Sequence, residues 1–309
     1  MKRVTLRDRD QITPTMFSLP LILCMLTFML FPFILTVLVS FSNLSLQRMN
    51  NPNYRIEFIG LKNFIGIWDS GRLLKIIGRT FVWMGGSLVL GTIIGVFYSL
   101  VMTFDIKGKS ILKAVILMPW VLPEVITGYV MQMMFMSNQG IIWSMLVKLG
   151  LLDPNAAMLS DGNTAMFLVI LANTWRAAPY VAVMVYGKFK SLPTSQIEAA
   201  RIDGANAMQS FFYITIPWIW PIVKRCAILL FIWSFNAYGI IFTMTNGGPA
   251  NATTNLAIAL RNMAFGQYNF GKGAAYGVVI LLLILASLGI LWLLFVLLMK
   301  TSGKRRHIH

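Results

Sequence analysis

Residues 80–104 read TFVWMGGSLVLGTIIGVFYSLVMTF, an uncharged stretch bounded by Arg79 and Asp105. A helix rises about 1.5 Å per residue, so about 20 apolar residues cross the hydrocarbon core of a bilayer. This stretch is long enough to span. In hydrocarbon its backbone can satisfy its hydrogen bonds only within a helix or a closed barrel, and an unbroken apolar run selects the helix. Working outward, five further stretches read the same way: 16–41, 114–136 interrupted by Glu124, 164–187 interrupted by Arg176, about 222–245 with Lys224 and Arg225 at its mouth, and 273–299. The reading is an all-α polytopic membrane protein with six transmembrane helices. It comprises an N-terminal segment 1–15, a membrane domain 16–299 and a tail 300–309.

Composition agrees. Of 309 residues, 57% are hydrophobic and 12% charged, with a mean hydropathy of +0.72. Soluble domains are about 25% charged and 45–50% apolar, so a water-soluble fold is excluded, and so is disorder, whose mark is low hydrophobicity. The net charge of +16 would suggest nucleic acid in a soluble protein. Here the basic residues lie mostly between apolar runs, as in loops retained on the cytoplasmic side. No nucleic-acid partner is expected.

An even number of spans puts both termini on one side. With the termini inside, sixteen basic residues fall in cytoplasmic segments and nine outside, which places both termini in the cytoplasm. Six of the outer nine crowd into residues 48–79. Of these, Arg72, Lys75 and Arg79 are read as lying on an interfacial helix and snorkelling to headgroups. The first apolar run is too long for a signal-peptide core and is read as a retained helix.

The most informative loop runs from Ser191 through Pro193, Ser195, Glu198, Ala199, Ala200, Arg201, Ile202, Asp203 and Gly204 to Ile214, Ile216, Pro217 and Pro221. Pro193 should stop the preceding helix. Ser195 with Glu198 fits a capping box for a new one. Gly204 suits its end, and Pro217 and Pro221 mark entry to the next span. A short helix across the cytoplasmic end of the membrane domain follows, with small Ala residues that allow close approach by another protein.

Glu-Ala-Ala, a glycine four residues beyond, and an Ile-x-Ile-Pro closure resemble the EAA loop of bacterial ABC importer permeases. The chain is similar to the sugar permeases of the maltose and glycerol-3-phosphate type, specifically the first of their two paired permeases. The likeness extends to Phe58–Phe64, Met118-Pro-Trp-Val-Leu-Pro123, Trp175 with Pro179, and Thr245-Asn-Gly-Gly-Pro249, in the same order. It implies a type I importer permease fold with the coupling-helix loop at about 188–217, in the bacterial inner membrane. It implies a homologous second permease, an ATPase dimer, an extracytoplasmic solute-binding protein and a sugar, oligosaccharide or polyol substrate, neutral or acidic. Glu198, Ala199, Ala200, Ile202, Asp203 and Gly204 would form the surface that docks on the ATPase. ATP and Mg would be bound by that partner, with no cofactor in this chain. Ile197 stands where the family often has Tyr, and Gly187-Lys-Phe-Lys190 replaces its usual Ala-Gly-Leu run.

In family members that hold sugar within the membrane, pocket residues come from the helices before and after this loop. By motif position these are Trp175, Arg176, Ala177 and Tyr180, then Leu230, Ser234 and Ala237, with Asn236 and Tyr238 beside them. Leu230, Ser234 and Ala237 recur at helical spacing on one face, and Trp175 offers an aromatic wall. Arg176 has two readings. It pairs with Glu124, the other intramembrane charge, or it faces the pathway and favours an anionic substrate; an unpaired charge in a span is costly.

Other signals are weak. Gly91 with Gly95, and Gly273 with Gly277, allow close helix packing, read as intrachain. Cys24 and Cys226 read as small hydrophobes, while His307 and His309 stand at the C-terminus. Asn43-Leu-Ser45 and Asn251-Ala-Thr253 match a glycosylation pattern without meaning in a bacterial inner membrane. Gly108-Lys-Ser110 lacks the earlier glycine of a P-loop, so the chain is not expected to hydrolyse ATP. A rival reading, an ion-coupled secondary transporter, has only Glu124 as a coupling carboxylate. A membrane enzyme has no catalytic constellation to support it.

Overall fold

The computed structural model describes residues 18–49 and 51–305. The predicted segment 1–15, with Lys2, Arg3, Arg7 and Arg9, lies outside these residues, as do Met16, Arg306, His307 and His309. The described chain is helical, and its only bridge is an isolated antiparallel pairing of Ser42 with Phe58. In order it forms α1 (Ser18–Ser40), α2 (Lys62–Asp69), α3 (Leu73–Val101), α4 (Lys109–Val121), α5 (Glu124–Phe135), α6 (Ile141–Lys148), α7 (Gly162–Lys190), α8 (Thr194–Ile202), α9 (Ala207–Asn236), α10 (Gly239–Met244), α11 (Leu256–Gly266) and α12 (Phe270–Arg305). Five of the described helices are long and apolar enough to cross a membrane, and a sixth span is made if the bent pair α4–α5 counts as one. Residues 300–305 of the predicted tail continue α12.

Four expectations need correction. The third span is not one helix: α4 and α5 meet at 105°. Pro123 disfavours a helical conformation at Leu122, whose ψ is 134°. The fifth span runs from Ala207 to Asn236 rather than from 222 to 245. Its start is a capping box in which Asn206 Oδ1 accepts from Gln209 N and Gln209 Oε1 accepts from Asn206 N, both at 2.8 Å. Pro217 therefore sits inside the helix instead of at its mouth. A proline clashes with the carbonyl four residues back, and here the preceding turn, Phe211–Thr215, widens to a π-turn in which Ile216 N donates to Phe211 O. The same device precedes Pro32, where Phe31 N donates to Leu26 O. Finally, Lys75 and Arg79 lie in the first turns of α3 itself, and Arg72 directly precedes it, so there is no separate interfacial helix for them.

The Cα framework divides into two compact units, the first comprising residues up to Arg72 and from Leu260, the second Leu73–Ala259. In the first, Asn63 Nδ2 donates to the Ser40 and Ser42 carbonyls at 2.9 and 2.7 Å, tying α2 to the end of α1. Gly271 N donates to Leu44 O at 2.9 Å. Gly273 packs on Ala264, and Gly277 lies near Leu260 and Thr36.

The second unit is organised on α3 and α7. Asp161 caps α7, its carboxylate accepting from Thr164 N and Oγ1 at 2.8 Å each. Along α3, a Cβ on Gly86 would stand 2.8 Å from Ile170, and one on Gly95 would stand 2.7 Å from Ala178 O. One on Gly91 would instead meet Leu230 of α9, at 3.5 Å. Two glycines one turn apart thus admit two different helices. Buried Trp83 adds a polar tie, its Nε1 donating to Ser234 O at 3.0 Å.

Candidate functional site

Two features of the second unit carry functional geometry. The first is the loop helix α8. Lys190 ends α7, and Pro193, with φ −63° and ψ 127°, is the N-cap of α8, two residues before the predicted cap. Ser195 is therefore helical. The expected Ser195–Glu198 capping box does not form, and α8 has no side-chain cap at its N-terminus. Its C-terminus closes as expected of Gly204, which takes φ +86°. Gly204 N donates to Arg201 O at 3.1 Å and Ala205 N to Ala200 O at 2.9 Å. This is the paired-bond glycine closure that satisfies a helix's last carbonyls.

The closure sorts the faces of α8. Glu198, Ala199, Asp203 and Gly204 are exposed, Ala200 is half-buried, and Ile202 is 86% exposed, unusual for a large apolar side chain. Ile197 and Arg201 turn the other way, lining with Leu100 and Phe211 a groove of about 460 Å³. The helix presents an acidic and apolar outer face on an open bracket rather than packing flat.

The second feature is a cavity of about 450 Å³ lined by Trp120, Glu124, Arg176, Trp233, Asn236 and Ala237. It forms at two breaks in helix, one inside the third span and one at the end of the fifth. The first break is the α4–α5 bend. The second lies at Ala237–Tyr238, where α9 stops and α10 restarts at Gly239. Breaks expose backbone groups that water cannot satisfy in a membrane, and side chains take them up. Asn255 Nδ2 donates to Ala237 O at 3.1 Å, and Trp83 serves Ser234 O. Glu124, in the first turn of α5, accepts from Gly239 N at 3.1 Å through Oε2. A Cβ on residue 239 would stand 2.7 Å from that of Glu124, so the approach needs glycine. Below it, Gly128 admits Thr243 against α5.

Through Oε1, Glu124 also accepts from Arg176 Nη2 at 3.3 Å. Their side chains keep 29% and 23% of their exposure, so the pair is partly sunk in the cavity wall. Arg176 Nε is buried without a partner. Tyr180 lies between Trp120 and Trp233, with ring centroids at 5.8 and 4.9 Å.

Of the residues predicted for a substrate path, Arg176, Asn236 and Ala237 line the cavity, and Tyr180 backs its aromatic wall. Ala177 and Leu230 belong to the packed core with Val181, Ile219 and Cys226. Ser234 is buried, its Oγ donating to Leu230 O at 2.7 Å. The Leu230–Ser234 face therefore meets protein, whereas Ala237 follows the helix's end and is turned elsewhere. Trp175 is half-buried and Tyr238 exposed, and neither lines the cavity. The aromatic wall is Trp120, Tyr180 and Trp233 instead. The missed Trp233 stands three and four residues before Asn236 and Ala237, the helical spacing that places it with them. Trp120 lies in the Met-Pro-Trp stretch already singled out.

Known proteins are similar to this chain in sequence and in fold. Residues 87–300 match the family described as binding-protein-dependent transport system inner membrane component. The chain is 29% identical over 274 residues to the trehalose/maltose transport system permease protein MalF of Thermococcus litoralis, covering 87% of this chain and 88% of that one. It is 30% identical over 233 residues to a probable ABC transporter permease protein of Brucella suis, covering 74% and 79%. It is 31% identical over 253 residues to the maltodextrin transport system permease protein MdxF of Bacillus subtilis, covering 79% of this chain and 58% of that one. Among solved structures, a chain of a bacterial alginate ABC transporter, in complex with an alginate pentasaccharide-bound periplasmic protein, shares the fold. The TM-score is 0.75 at 19% identity, over 92% of this chain and 95% of that one.

Proposed function

The chain belongs to the family of binding-protein-dependent transport system inner membrane components, and from that premise we propose that it is the permease through which an ABC importer takes up a sugar or oligosaccharide. Relatives named for trehalose, maltose and maltodextrin transport support the solute class. In this reading the chain does no chemistry. A separate ATPase pair binds ATP and Mg and hydrolyses the nucleotide, a homologous permease completes the pathway, and an extracytoplasmic binding protein delivers the solute. Both termini face the cytoplasm, as the distribution of Lys and Arg favours.

The observation that carries this reading is α8: an exposed helix closed by Gly204, with Glu198, Ala199, Ala200, Ile202 and Asp203 outward or at its edge. Closure of the ATPase pair moves this helix as a rigid handle, and α7 and α9, which flank it in sequence, pass the displacement to the cavity. The solute path runs by Arg176, Tyr180, Asn236 and Ala237. Trp175, Ala177, Leu230, Ser234 and Tyr238 act behind or beside it.

Gentle extraction from native membranes followed by mass spectrometry tests the assembly. An ATPase and a second permease should accompany the chain, and uptake by the reconstituted complex should require ATP. A chain that purifies alone and transports on an ion gradient without ATP would overturn the proposal.

A further inference from the structure

The cavity in the second unit contains its own anion. Among the described residues, Arg176 is the only cation in its lining, and the groups beside it are Glu124, Trp120, Trp233, Asn236 and Ala237. The formal charge of that lining is zero. The carboxylate is fixed from two directions, by Arg176 Nη2 through one oxygen and by the Gly239 N–H through the other. It occupies the place beside the guanidinium that a carboxylate on a ligand would take. A planar guanidinium favours such a partner strongly, so which carboxylate holds it decides what the cavity accepts.

We propose that Glu124 is a specificity-determining residue. It acts as an internal counter-anion that reserves the cavity for uncharged carbohydrates and turns away acidic ones. The inference rests on the cavity being the solute path. An acidic sugar would have to displace Glu124 from both Arg176 and the α10 N-terminus, or leave two carboxylates side by side around one cation. A neutral sugar meets no such conflict. Its C–H faces lie against Trp120 and Trp233, and its hydroxyls bond to Asn236 and to the free edges of the pair.

Glu124→Gln isolates the effect, because the amide oxygen still accepts from Gly239 N while the negative charge is gone. Binding of maltose, trehalose and digalacturonate to the complete transporter in nanodiscs, measured by calorimetry, is the test. Wild type should prefer the better-bound neutral disaccharide over digalacturonate by tenfold or more. E124Q should move that ratio at least tenfold toward the acidic sugar. The double variant Glu124→Gln/Arg176→Gln, neutral again, should move it back, a reversal that a purely structural bond would not give. Equal or inverted preference in wild type overturns the inference without any variant. So does an unmoved ratio in an E124Q protein that assembles and still binds neutral sugar, and in both cases the solute-path assignment survives. No binding of any probe by wild type or variants would instead remove the solute-path assignment and the inference together.

Discussion

The Glu124 carboxylate accepts the Gly239 backbone N–H at 3.1 Å, joining residues 115 positions apart, one at the bend of the third span and one just past the end of the fifth. One side chain thereby serves a half-helix in the third span, the short helix α10 that follows the fifth, and, through Arg176, the fourth span. These elements meet at a single carboxylate, and the aromatic cavity opens beside it.

Gly204 should be intolerant of side chains because of its backbone, since a Cβ there would meet nothing within 4 Å. A β-branched residue at φ +86° costs about 1–3 kcal/mol. Gly204→Val should loosen the end of α8 and let ATP hydrolysis run without uptake in proteoliposomes, with the thermal midpoint of the membrane domain nearly unchanged. Glu198→Lys, which reverses charge on the exposed face, should uncouple or prevent assembly. Full uptake by both variants would remove α8 from the coupling role.

Gly95 and Gly85 should behave as opposites. Gly95→Ala drives a methyl into Ala178 O and Val181, and overpacking of this kind costs about 1–3 kcal/mol. Gly85→Ala has no neighbour within 4 Å and should be neutral or gain about 0.5–1 kcal/mol of helix propensity. Thermal unfolding of the purified transporter in detergent compares them, and equal midpoints would contradict the packing of α3 on α7.

Asn255 should matter as much as an apolar core residue. It is fully buried, donates to Ala237 O, and accepts from Ile258 N at 2.9 Å. Asn255→Ala leaves both groups unsatisfied, at about 1–3 kcal/mol each. Lowered thermal stability should come with altered solute affinity, because Ala237 lines the cavity. A loss below about 0.5 kcal/mol would show that water replaces the amide.

Asp161 gives the α7 cap a pH dependence. The Thr164 N–H, then its hydroxyl, hold the Asp161 carboxyl below its ordinary 3.8. A folded-state value below the unfolded one means the contribution is complete above about pH 4 and fades as pH falls through the folded value. The thermal midpoint of wild type should therefore drop below pH 4 more steeply than that of Asp161→Asn, whose amide oxygen caps α7 without titrating. Parallel curves would mean the cap carries no pH dependence.

Hydropathy located the first, second, fourth and sixth membrane helices, and Gly204 marked where α8 stops. Both follow from local causes: an apolar run in hydrocarbon must satisfy its own backbone, and a left-handed residue at a helix end favours glycine. The sequence also brought Arg176 and Glu124 forward as the two intramembrane charges. The tertiary structure alone decided that the pair forms, that Gly91 and Gly95 admit different helices, that Leu230 and Ser234 face core, and that Trp120 and Trp233 form the wall in place of Trp175. Each of these depends on which faces of distant helices meet, and hydropathy, which is nearly uniform around an apolar span, carries no record of that choice.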